Sequence, residues 1–97
     1  MSLIPVQEAV AHAKKSLTAL YQDDPLRELA LEEIELVTEG SRDLWSVTLG
    51  FDRVKAFKAS ALQSYLPAQN LVNRVYKTVF LDASTGEFVK MDMRQVQ

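Results

Sequence analysis

His12 is the only histidine in the chain, and Ser16 stands four residues after it, a spacing that brings both to one side of a helix. A Ser–His pair could do nucleophilic chemistry, but it also needs a third group to orient the imidazole and donors for the oxyanion, and neither is apparent in the sequence. His12 also lies off the apolar stripe of its segment, so a solvated ring is expected. With no cysteine, thiolate metal sites, disulfides and a cysteine nucleophile are excluded. The acidic group Glu28, Glu32, Glu33, Glu35 and Glu39 has the residue types for acid–base work or a cation site. On a strand, however, only Glu33, Glu35 and Glu39 share a face, strung along its length rather than converging, which describes a solvated outer face. Met91 and Met93, two apart, suit core filling better than copper ligation, and Trp45 suits a core anchor better than a stacking platform. The reading is therefore of no catalytic residues, no metal, no cofactor and no enzyme.

Charge is the feature that packing leaves unexplained. The formal net charge of −2 excludes a strongly basic nucleic-acid binder, yet it is a sum of unlike parts. Residues 1–50 carry four bases against nine acids, a net −5, whereas residues 51–77 carry five bases against one acid, a net +4. The basic stretch is interleaved with Phe51, Phe57, Tyr65 and Tyr76. Such a mixture could meet an acidic protein or stack on bases, or it could dock on the acidic strand of its own chain. The residues expected to touch a partner are Arg53, Lys55, Phe57, Lys58 and Tyr65. The first functional expectation is a non-enzymatic protein-binding or regulatory module. An exposed edge strand would offer a second route, by pairing with a peptide or with another copy in a homodimer. Two alternatives are a small-molecule or enzymatic pocket lined by Trp45, Tyr76 and Phe80, and a weak nucleic-acid binder acting through residues 53–77.

These residues must be positioned by few elements. Val6, Ala9, Val10, Ala13, Leu17, Leu20 and Tyr21 recur at helical spacing, with Pro5 suited to the first helical position, so residues 5–21 read as one amphipathic helix stopped by Asp23-Asp24-Pro25. Leu26 to Glu39 fits a helical stripe with one flaw, but the alternation through Glu33, Ile34, Glu35 and Leu36 reads as a strand from about Leu31, with Ile34 and Leu36 inward. After a turn at Gly40-Ser41-Arg42-Asp43, Leu44 to Phe51 is a strand with Trp45, Val47, Leu49 and Phe51 on one face and a bulge or close backbone approach at Gly50. Leu71 to Asp82 reads as a central strand and Asp82 to Glu87 as a hairpin turn. In the last strand, Phe88 to Arg94, Val89, Met91 and Met93 point one way while Lys90, Asp92 and Arg94 point the other with Phe88. The expected fold is α+β, a single domain over residues 1–97: one N-terminal helix packed on a four-stranded antiparallel sheet, with a long connection from Asp52 to Asn70 between the second and third strands.

The run Arg74-Val75-Tyr76-Lys77-Thr78-Val79-Phe80-Leu81-Asp82-Ala83-Ser84-Thr85-Gly86-Glu87-Phe88-Val89 resembles the closing hairpin of PepSY-like domains, and the Ala-rich N-terminal helix is similar to theirs. The long insertion at residues 52–70 departs from that pattern. The resemblance implies a cystatin-like helix-on-sheet fold and a binding or peptidase-regulating role, and supplies no catalytic residues. No apolar stretch approaches the roughly 20 residues of a membrane span, and the N-terminus lacks a signal-peptide pattern, so a cytoplasmic location is expected.

Overall fold

A computed structural model describes residues 2–22, 26–54 and 72–93. The elements follow in the order α1 (Val6–Leu20), β1 (Arg27–Glu39), β2 (Arg42–Val54), β3 (Val72–Asp82) and β4 (Phe88–Met93). The strands form one antiparallel sheet in the order β1-β2-β3-β4, with short hairpin links joining β1 to β2 and β3 to β4. The α+β helix-and-sheet arrangement read from the sequence is thus the observed one, with the long link between β2 and β3 at residues 55–71. The stop expected at Asp23-Asp24-Pro25 lies outside the described residues.

Alternation in β2 builds the core. Val47, Leu49 and Phe51 are fully buried against Ala9, Ala13 and Leu17 of α1, with Val79 and Leu81 of β3 completing the layer. Trp45 continues the same face and anchors the chain entering the helix, since its indole N–H donates to the Ile4 carbonyl at 3.2 Å. The Ile4 amide donates in turn to the Ala83 carbonyl at 2.8 Å. Pro5 precedes the helix as its cap, in extended conformation (ψ 157°), rather than occupying its first position.

Three boundaries differ from expectation. β1 begins at Arg27 instead of near Leu31, because two irregularities, between Arg27 and Ala30 and between Leu31 and Glu33, let the strand pair with β2 while interrupting the alternation that would reveal it. β2 starts at Arg42, since Gly40, with φ 66°, and Ser41 alone make the turn, as a two-residue hairpin with Gly first allows. It also runs past Phe51 to Val54 because Asp52, Arg53 and Val54 pair with Arg74, Asn73 and Val72. In β4, an irregularity opposite Phe80 and Leu81 places Phe88 against Leu81, out of step with Lys90, so the expected grouping of Phe88 with Lys90 and Asp92 is broken.

Helix α1 lies over β2, β3 and β4. β1 packs against this core through Leu29 and Ile34, which are half-buried, but Leu31 and Leu36, on the same face as Ile34, are 41% and 44% exposed. Leu36 points inward by register, opposite Trp45, yet remains among the exposed large apolar side chains. No helix among the described residues is long and apolar enough to cross a membrane.

Candidate functional site

The expected contact residues divide by position. Arg53 belongs to β2, opposite Asn73, so it is part of the sheet and not of the connection. Lys55, Phe57, Lys58 and Tyr65 lie outside the described residues. The pocket expected from Trp45, Tyr76 and Phe80 does not bring the three together: Trp45 is on the helix side, whereas Tyr76 and Phe80, opposite Gly50 and Ser46, are on the other. His12 is half-buried rather than solvated, because its ring packs against Gly86 in the β3–β4 turn. Among the described residues, no group of three or more His, Asp or Glu side chains is arranged to hold a metal ion.

What the sheet does assemble is an acidic edge. Along β1 the outer face carries Glu33, Glu35, Val37 and Glu39, and the inner face carries Leu31, Ile34 and Leu36. From Glu33 to Glu39 the pairing with β2 is regular, and among the described residues no strand pairs with the far side of β1. The strand therefore offers a straight row of backbone donors and acceptors, flanked by an apolar stripe and an acidic stripe.

Beside this edge the sheet ties its own charges together. Arg74 reaches across β2: its Nη1 donates to the Glu28 carbonyl at 2.8 Å and to Asp52 at 3.2 Å, and its Nη2 donates to Glu32 at 3.2 Å. Burial works against the Arg74 charge, but hydrogen bonds to Asp52, Glu32 and Tyr76 outweigh it and hold the guanidinium above its ordinary pKa. The bridge passes directly over Gly50, where a Cβ would come within 2.9 Å of the Glu32 carboxylate and 3.0 Å of both Arg74 and Tyr76. Glu28 is the single described non-glycine residue with positive φ, at 54°, and the irregularity it makes turns its carbonyl onto Arg74. One base of the basic segment is thus drawn onto the acidic strand of its own chain. Sequence reasoning missed this constellation; its only trace was the glycine in the middle of a strong strand.

At the opposite end, Asp82 organises the β3–β4 turn. It accepts from the Ser84 hydroxyl at 2.7 Å, the Ser84 amide at 2.9 Å and the Thr85 amide at 3.0 Å. The Ser84 bonds first, then that of Thr85 and the pairing with Arg42 at 3.1 Å, hold its carboxyl well below the usual carboxylate range. A hollow of about 270 Å³ adjoins this turn, but Arg42 and Asp82 are paired with each other and Asp43 accepts from Thr38 at 3.0 Å. Its charged groups are committed to the fold. Compared with known families, curated proteins and solved structures, the chain matches no family model, no curated protein and no solved structure.

Proposed function

We propose that the chain is a non-enzymatic binding module that captures an extended segment of another protein along the free edge of β1. The observation that carries this reading is the pairing of an unpartnered strand edge with exposed Leu31 and Leu36 on one side and Glu33, Glu35 and Glu39 on the other. An added strand gains main-chain hydrogen bonds along the edge and specificity from alternate side chains. The chemistry that fits is an alternation of basic and apolar residues, the bases against the glutamates and the apolar side chains beside Leu31 and Leu36. A second copy of the chain would set acidic stripe against acidic stripe, and like charges directly opposite are destabilising, which favours a partner of opposite charge. The resemblance to PepSY-like domains points the same way, since it implies binding or peptidase regulation.

A fluorescent peptide of alternating Lys and Val tests this. Saturable binding is expected, weakened about tenfold by Leu36→Asp and steeply by salt. Equal binding of an alternating Glu-Val peptide, or no effect of Leu36→Asp, would overturn it. On this reading, reversing the charges of Arg53, Lys55 and Lys58 is expected to leave capture of the Lys-Val peptide unchanged or stronger.

A further inference from the structure

The free edge of β1 has a phase, and the hairpin beside it fixes which backbone groups face outward. In antiparallel pairing, opposed residues alternate between pairs that exchange both main-chain hydrogen bonds and pairs that exchange none. Gly40 and Ser41 alone join β1 to β2, so Glu39 and Arg42 close the turn as a hydrogen-bonded pair. The far side of β2 agrees. The Asp43 carbonyl accepts from the Ala83 amide at 3.0 Å, so Asp43 turns its backbone away from β1, and Arg42 and Leu44 on either side turn theirs towards it. Counting back in steps of two, Val37, Glu35 and Glu33 fall in the hydrogen-bonded pairs with Leu44, Ser46 and Thr48. Ile34, Leu36 and Thr38 therefore carry the main-chain donors and acceptors that face away from β2, and among the described residues no strand meets them. The regular stretch ends at the irregularity between Leu31 and Glu33 on one side and at the turn on the other. That leaves room for a partner segment of about seven residues, bonded to the three outward-facing ones.

The side chains along this stretch are not uniform, and the exceptions give the partner a sequence. On the outer face Val37 interrupts the glutamates, and Glu39 is already answered by Lys90 at 3.1 Å. Glu33 stands at the end of the regular pairing. Glu35 is thus the position at which a base is read, with an apolar neighbour two residues on. On the inner face, the outward-facing backbone belongs to half-buried Ile34 and to Leu36, 44% exposed, which favour apolar side chains alongside. Side chains approach most closely in the pairs that exchange no hydrogen bonds, and in an added strand those are the pairs opposite Glu35 and Val37. Charge and apolar fit are therefore read where contact is tightest.

We infer that the edge takes an antiparallel segment with the order apolar-apolar-base-apolar, lying opposite Val37, Leu36, Glu35 and Ile34 in turn. The residues opposite Leu36 and Ile34 turn their amides to β1, and the base turns its amide away. The direction follows from the sheet, since every pair in it is antiparallel and that pairing is the more stable per residue. The order is asymmetric, so the site distinguishes a sequence from its reverse. This inference rests on the reading of β1 as the capturing edge and adds to it a chain direction, a register and a sequence.

Two fluorescent heptapeptides with blocked ends, titrated with the whole chain, test it: Thr-Thr-Val-Val-Lys-Val-Thr and its reverse, Thr-Val-Lys-Val-Val-Thr-Thr. The first is expected to bind about tenfold more tightly. N-methylation of its second Val, whose amide faces Leu36, should weaken it about tenfold or more, whereas N-methylation of its Lys, whose amide faces solvent, should change affinity less than about twofold. Glu35→Gln should weaken it several-fold. In the complex, hydrogen exchange should slow most at the amides of Ile34, Leu36 and Thr38. Equal or tighter binding of the reverse sequence would overturn the direction, and a loss on methylating the Lys instead of the Val would overturn the phase. Either result leaves strand capture at β1 standing. Unchanged exchange throughout β1 with both heptapeptides and with the Lys-Val peptide would overturn the inference and the capture reading together.

Discussion

Two glycines show how single positions hold this sheet. Gly50 leaves room for the Arg74 bridge to Glu32, so Gly50→Ala must push aside the ends of Glu32 and Arg74 and the edge of Tyr76. Because that bridge is partly exposed, the expected loss is about 1 kcal/mol, read as a lowered urea midpoint. In a Glu32→Gln background the same change should cost less, because the two substitutions remove one interaction. Gly86 has φ 84°, and a Cβ there would lie 2.7 Å from the His12 ring. Gly86→Ala should cost about 1–3 kcal/mol, and adding His12→Ala should recover the steric part but not the backbone part. Asp82 gives a pH prediction. Its folded pKa lies below its ordinary value of 3.8, so the ionised form stabilises the fold at neutral pH and that contribution is lost as pH falls below about 4. Urea melts of Asp82→Asn should show lower stability at pH 7 and a shallower decline in acid. Of these residues, the hairpin role of Asp82 and Gly86 was legible in the sequence as a turn signature. The contact of His12 with Gly86 was not, because helical spacing says which residues share a side but not what lies opposite that side.

At the scale of elements, periodicity was readable wherever one face is fully covered. β2 between Trp45 and Phe51 alternates cleanly because α1 lies on one side, and α1 is regular for the reciprocal reason. β1 was readable only from about Leu31, since its irregularities near Glu28 and Glu32 shift the phase, and its inward face is only partly covered, with Leu31 and Leu36 exposed. The same difference in cover predicts mutational cost. Leu49→Ala, in the buried layer, should destabilise by about 2–5 kcal/mol, whereas Leu36→Ser, inward by register but uncovered, should change stability by about 0.5 kcal/mol or less. Chemical denaturation of the two variants compares them directly. A large cost for Leu36→Ser would mean that something covers this stripe, and β1 would no longer be a free edge.

Across the whole molecule, the uneven charge in the sequence became two separate features. Part of the basic segment is used internally, by Arg74 on Glu32 and Asp52, while Glu33, Glu35 and Glu39 line an edge that the rest of the sheet leaves unpaired. The sign of each stretch could be counted in the sequence. Which charges meet could not, because that depends on a register shifted by irregularities and on the strand order across which Lys90 of β4 reaches Glu39 of β1. Capture of a basic strand at β1 makes a prediction specific to one row of amides, and hydrogen exchange read residue by residue addresses it. On adding the Lys-Val peptide, amides between Glu33 and Glu39 should gain protection while the rest of the sheet stays unchanged. Protection confined to residues outside β1, or unchanged exchange in β1 with the peptide bound, would contradict the assignment of β1 as the binding edge.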